Sequence, residues 1–281
     1  MNVGIAACSN GLAAEERAQI ETLKTRLRAF GMHAVCSPHL FAEGGAAAGT
    51  AVERAEALMD FYFDESIGAV FDVSGGDIAN EILPHLDFSA IASARKPFWG
   101  YSDLTTVINA IYTCSNVPSF LYQIRNLVKD REEVQMRRFA EYAAQPGRRG
   151  ELFDLRCEFL RGREMGGIVI GGNVRCLLKL AGTPFWPEMK GRILFLEALG
   201  GGEGQLRTYF AQLEQLGAFR QAAGVLLGTF TRFEGSQTGM TVYELIAPHL
   251  PDGLPVARTP DVGHGSDAKA LEIGAYREFM R

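Results

Sequence analysis

The chain has 281 residues, enough for one large domain or two ordinary ones, each with its own core. It is 47% hydrophobic and 22% charged with a formal net charge of -5, the texture of a soluble globular protein. No basic patch stands out, which argues against a nucleic-acid partner, and no apolar run approaches the roughly 20 residues that cross a bilayer.

In chain order, Asn2 to Cys8 (NVGIAAC) is a short apolar run that reads as a first strand rather than a secretory signal. Ile20, Leu23, Leu27 and Phe30 then fall at helical spacing, and Gly31 suits the helix end. MHAVCSP is a second strand. TAVERAEALMDFYFDES is a second amphipathic helix with Thr50 as its N-cap. GAVFDV is a third strand, followed by SGGDIANEIL as a glycine turn running into a helix near Asn80. KPFWGYSD is a further strand and loop, and LTTVINAIYT a helix. This alternation predicts a parallel sheet covered by helices, with ligands at the carboxyl ends of its strands. CSNG, SGGDIAN and GYSD therefore share one rim.

Ala143 to Asp154 (AAQPGRRGELFD) is polar and carries Pro146, Gly147 and Gly150, which marks a linker. The basic stretch Gln135 to Gly150 reads as a helix end entering that linker. Beyond it, GGIVIGGN, GRILFLEA, AAGVLLGTF and LPVARTPDVGHG are short apolar strands between glycine turns, with one clear helix, GQLRTYFAQLEQLGAF. The expected fold is α/β: an N-terminal parallel-sheet domain over 1–145 and a smaller β-rich domain over 155–281. Five scattered cysteines, with no CxxC or Cys/His cluster, suggest reduced thiols and no zinc site.

Three constellations could carry chemistry. Gly75 and Gly76 free the backbone to aim amides into a cavity, where a helix start would add positive potential. Such a turn can hold a carboxylate, a phosphate or an oxyanion, but it has neither a dinucleotide nor a Walker spacing. It also fits a plain strand-to-helix connection. Glu197 ends an apolar strand, where a carboxylate needs a partner or an edge position. His264 lies between two glycines, suited to a general base or to an idle loop position. Together Glu197 and His264 suggest a base and the group that orients it. The glycine-rich Gly200 to Gly204 reads as a surface turn or a loop over a site.

Taken in order, GGDIANEILPHLDF, KPFWGYSDLT, GGN, ILFLE and the late GHG resemble the LD-carboxypeptidase family. That family includes muramoyl-tetrapeptide carboxypeptidases and the microcin C self-immunity protein. The resemblance runs over most of the chain, and GYSDLT and GHG are its most specific pieces. It implies a serine peptidase with a Ser-Glu-His triad, an α/β N-terminal and a β-rich C-terminal domain, no metal or cofactor, and a homodimer; the cytoplasmic expectation comes from the scattered thiols. The substrate it implies is an LD-peptide of the cell wall or a peptidyl-nucleotide. Carried over by position, Glu197 and His264 are the triad acid and base, and the nucleophile falls on Ala79. Gly76 and Asn80 supply the oxyanion amides, and Ser102 and Asp103 flank the site.

An alanine cannot attack a carbonyl, so as aligned the chain would bind and hardly cleave. Three explanations fit: an engineered alanine, a natural loss of the serine, or attack by another residue such as Ser74 or Ser9. The readings from other classes are a non-catalytic protein that holds a peptide or acyl-nucleotide, and a phosphate-binding Rossmann-like domain.

Overall fold

The computed structural model describes residues 1–145, 150–236 and 239–281. Part of the expected linker, residues 146–149, lies outside them.

The first half builds strands β1 (Asn2–Ala6), β2 (His33–Cys36), β3 (Ile67–Asp72), β4 (Phe98–Gly100) and β5 (Ser119–Leu121). Between and after them run α1 (Arg17–Ala29), α2 (Ala51–Phe63), α3 (Phe88–Ala94), α4 (Thr105–Ser115), α5 (Glu132–Ala144) and the one-turn α6 (Gly150–Phe153). The helices form for legible reasons. α1 buries Ile20, Leu23 and Leu27, one apolar stripe at helical spacing. α2 opens with a reciprocal cap: the Glu53 N–H donates to Thr50 Oγ1 at 3.2 Å, and the Thr50 N–H donates to Glu53 Oε2 at 2.7 Å. α4 is buried from Thr105 through Tyr112, as expected of a helix enclosed by the fold.

The second half adds β6 (Glu158–Arg161), β7 (Glu164–Asn173), β8 (Arg192–Ala198), β9 (Gly224–Phe230), β10 (Val256–Arg258), β11 (Leu271–Ile273) and β12 (Tyr276–Met280). Helices α7 (Val174–Leu178) and α8 (Glu203–Gln215) follow β7 and β8. The turn Gly200 to Gly204 runs directly into α8, with Gly202 at its N-cap.

Two six-stranded sheets result, ordered β11-β5-β4-β3-β1-β2 and β12-β7-β8-β9-β10-β6. The inner strands of each are parallel. The antiparallel strands lie at edges: β11 on β5, β12 on β7 and β6 on β10. Both units are thus α/β. The boundary expected at 155 does not separate the sheets, because β11 leaves the second unit to complete the first. The described end of the linker, from residue 150, packs on the fold: Leu152 is buried, and its carbonyl accepts from the Ala270 N–H at 2.9 Å.

One apolar core runs through both units, from Val70 and Leu104 to Phe195 and Leu226. A second cluster lies around Trp99, Phe139 and Leu27. No helix among the described residues is long and apolar enough to cross a membrane. The carboxyl ends of β1, β3 and β4 carry Ser9, the glycine turn and Ser102, and those of β7 and β8 carry Asn173 and Glu197.

Candidate active site

β4 ends at Gly100, where a Cβ would meet Leu104 Cβ at 2.7 Å, so the chain can turn tightly back on itself only with glycine there. Two residues on, Ser102 has φ +55°, left-handed backbone that costs a non-glycine residue roughly 1–2 kcal/mol. The segment is strand, strained serine, helix, the local design that lifts a hydroxyl clear of a sheet.

The Ser102 hydroxyl meets His264 Nε2 at 3.2 Å. The other ring nitrogen, Nδ1, lies 2.6 Å from Glu197 Oε2. Glu197 is 0% exposed, and its second oxygen accepts from Asn173 Nδ2 at 3.1 Å. The Tyr101 ring packs on the imidazole with centroids 4.5 Å apart. Burial, with the Glu197 charge nearby, pushes the Tyr101 phenol well above its usual range, so it stays protonated. A Cβ on Gly228 would come within 3.0 Å of Glu197 Cβ and 2.5 Å of the Val262 carbonyl, so glycine lets β9 pass close beneath the pair.

Interdomain hydrogen bonds hold the serine's helix against the glutamate's sheet. Thr105 Oγ1 accepts from the Asn173 N–H at 2.9 Å. Asn109 accepts from the Gly171 N–H and donates to its carbonyl, both at 2.9 Å. A Cβ on Gly172, at φ +143°, would fall 2.5 Å from Thr105 Oγ1, so a side chain there would push the two apart.

Position 79 is different from its sequence expectation. Ala79 is 0% exposed and belongs to the apolar core, and its N–H donates to Asp103 Oδ2 at 2.8 Å. The imidazole hydrogen-bonds Ser102 instead. The expected helix from Asn80 is a 3-10 turn, Ala79–His85, containing Pro84, and Asn80 is exposed on it. The alternative hydroxyls point to carboxylates: Ser9 Oγ donates to Asp103 at 2.7 Å and Ser74 Oγ to Asp72 at 2.6 Å.

The glycine turn does stand beside the serine. A Cβ on Gly75 would lie 3.9 Å from Ser102 Cβ. Gly76 has φ +132°, and a side chain there would collide with Asn10, whose Oδ1 accepts from the Asp77 N–H at 3.0 Å. Helix α7 reaches over this turn. Arg175 pairs with Asp77 and donates to the Gly76 carbonyl at 3.1 Å. Lys179 donates to the Asp77 carbonyl at 2.7 Å and pairs with Asp103. The Arg175 hydrogen bond holds the Asp77 carboxyl below the usual carboxylate range.

Of the residues expected from sequence, Ser102, His264 and Glu197 form one hydrogen-bonded line with Asp103 next in the chain, and Ala79 lies outside that line. Sequence reasoning passed over Tyr101, Asn173 and Lys179. The available signal was GYSD itself, a serine wedged between a buried strand and a buried helix. Among the described residues no group of three or more His, Cys, Asp or Glu side chains is arranged to hold a metal. A cavity of about 980 Å³, lined in part by Leu227, Met240 and Tyr243, contains none of Ser102, Glu197 and His264.

The whole chain has known counterparts. It is 27% identical over 271 residues to a probable murein peptide carboxypeptidase of Bacillus subtilis, covering 92% of this chain and 82% of that one. It is 26% identical over 258 residues to the microcin C7 self-immunity protein of Escherichia coli, covering 80% and 75%. A solved structure of microcin C7 self immunity protein in complex with aspartyl sulfamoyl adenosine superposes with a TM-score of 0.89 at 20% identity, over 99% of this chain and 92% of that one. A muramoyltetrapeptide carboxypeptidase from Oxalobacter formigenes gives 0.83 at 22% identity, over 100% and 95%. Residues 3–122 match the LD-carboxypeptidase N-terminal domain and residues 166–279 the LD-carboxypeptidase C-terminal domain, each half containing its share of the Ser102, Glu197 and His264 cluster. By these two matches the chain belongs to the LD-carboxypeptidase family.

Proposed function

We propose that this chain is an active serine carboxypeptidase that removes the C-terminal residue of a murein-type LD-peptide, with Ser102 as nucleophile. The hydrogen-bonded line from Ser102 Oγ through both nitrogens of His264 to Glu197 carries the reading. Ser102 Oγ attacks the peptide carbonyl while His264 Nε2 takes its proton. Glu197 accepts the Nδ1 proton's hydrogen bond, which fixes the tautomer and stabilises the imidazolium, and Asn173 holds Glu197. The imidazolium returns the proton to the leaving amine as the C–N bond breaks. Water then attacks the acyl-serine with the same base.

Two amides fit the oxyanion. The Asp103 N–H follows the nucleophile directly and belongs to the first turn of a helix, where N–H groups lack intrahelical partners. The Gly76 N–H comes from the turn beside Ser102. Asp103 thus replaces Asn80 in the scheme inferred from sequence. Neither an engineered nor a lost serine is needed, and binding without cleavage has no observation in its favour.

Murein substrates are preferred because the relative matched over 92% of this chain is named for them. The test is a mass-spectrometric assay on a murein tetrapeptide and an aspartyl-adenylate analogue with a cleavable amide, using this chain and Ser102→Ala. Release of the terminal residue by the chain and not by the variant is the expected result. Equal cleavage by Ser102→Ala would overturn the nucleophile, and cleavage of the acyl-nucleotide alone would move the substrate class. The homodimer belongs to the same proposal and is read by sedimentation equilibrium.

A further inference from the structure

We infer that Lys179 is a positioning residue that neutralises Asp103 beside the attacking serine, so that the oxyanion forms next to a balanced ion pair. This rests on the reading that Ser102 attacks.

Asp103 is the chain neighbour of Ser102 and is 0% exposed. Its Oδ2 accepts from Ser9 Oγ at 2.7 Å and from the Ala79 N–H at 2.8 Å. Those donors are neutral. They satisfy lone pairs and leave the charge in place. Among the described residues the ion-pair partner of Asp103 is Lys179, whose side chain is 19% exposed. The other cations near the turn are engaged elsewhere: Arg175 with Asp77, and Arg54 with Glu81 at 2.6 Å.

A buried carboxylate is a poor neighbour for a reaction that builds negative charge. Its field would oppose the oxyanion, in a place where water screens little. The carboxylate is nonetheless needed, because it joins the loop after β1, the glycine turn and the serine's own turn into one unit. An ammonium group on its other oxygen, Oδ1, keeps that function and cancels the field. Lys179 is well placed to do both. It projects from the end of α7, the helix that Asn173 caps, and Asn173 also holds Glu197. The same Nζ donates to the Asp77 carbonyl at 2.7 Å.

The test needs no identified substrate. A fluorophosphonate probe reacts with an activated serine as the Ser102 Oγ–P bond forms, the P–F bond breaks, fluoride leaves and His264 Nε2 takes the hydroxyl proton. Its transition state places charge on a phosphonyl oxygen in the same amide hole. We expect Lys179→Gln to lower the limiting labelling rate by about a hundredfold, the scale of losing one oxyanion donor, with half-saturation little changed. Lys179→Arg should stay within about tenfold of the unmodified chain, since it restores the charge. The neutral pair Lys179→Gln with Asp103→Asn should recover at least tenfold over Lys179→Gln, because its two amides can bond each other with no net charge.

A purely mechanical latch predicts no such recovery. An unchanged rate for Lys179→Gln, or a double variant no faster than the single, overturns the proposal. If Lys179→Gln does not melt cooperatively, the arginine variant and the neutral pair decide: a neutral pair at least tenfold slower than Lys179→Arg would overturn it. Ser102→Ala separates the two levels, since labelling that persists in it overturns the nucleophile rather than the role of Lys179.

Discussion

Ser102 and Ala79 are both small residues at strand-to-helix turns, and the imidazole chooses between them. Ser102→Ala is expected to lower turnover by about five to six powers of ten, as loss of a triad nucleophile does. Ala79→Ser should gain nothing in rate. A hydroxyl at a 0% exposed site in the core costs about 1–3 kcal/mol unless it finds a partner, so its melting temperature should fall. Glu197→Gln keeps the shape but loses the charge that stabilises the imidazolium, and we expect about a ten-thousandfold drop in kcat with little change in KM. Steady-state kinetics and thermal melts of the variants check all three. Glu197 and His264 were legible because a carboxylate at the end of an apolar strand and a histidine between glycines are both chemically conspicuous. Ser102 reads from sequence only as a residue flanking the site, and its proposed role as nucleophile was not legible there. Its distinguishing property is φ +55°, a backbone angle that composition does not carry.

At the scale of elements, the loop between β10 and β11 decides where His264 sits. Asp261 anchors it. Its carboxylate accepts from the Arg156 N–H at 2.7 Å, from Arg156 Nη2 at 2.6 Å and from Lys269 Nζ at 3.3 Å. From the other side Gln135, 0% exposed on α5, donates to the Ser266 and Ala268 carbonyls, both at 2.8 Å. Burial raises the Asp261 pKa, but the Arg156 hydrogen bonds and Lys269 outweigh it, and the carboxyl lies below its usual range. A depressed carboxyl stabilises the fold above its unfolded pKa and loses that contribution as pH falls through the folded value. Melting temperature should therefore drop below about pH 4, and less steeply in Asp261→Asn than in the unmodified chain. Differential scanning fluorimetry from pH 6 to 2 measures it, and parallel slopes would count against the anchor. The long elements were legible, since α1 and α2 carry full apolar stripes and Thr50 with Glu53 spells a cap. The helix expected at Asn80 was not, because Pro84 and local packing hold that stretch in a 3-10 turn. Strands of three residues such as β11 leave no period to read.

For the whole molecule, two sheets with a shared core and a strand exchanged between them should behave as one thing. Ile273 is 0% exposed in β11, which belongs to the first sheet although in the chain it lies between β10 and β12 of the second. We expect a single calorimetric transition whose van't Hoff and calorimetric enthalpies agree, where independent domains would give two. Removing residues 271–281 takes an edge strand from each sheet, and the remainder should fail to melt cooperatively. The exchange also sets an order of events during translation. β11 is synthesised after every other strand of its sheet, so the edge of β5 stays open while most of the chain is already outside the ribosome. A nascent chain in that state exposes an unpaired strand to its neighbours on the polysome. It also lacks a seated His264 loop, because that loop is tied down by β11 and the residues just before it. On the proposed reading, the catalytic line is completed only once β11 is in place.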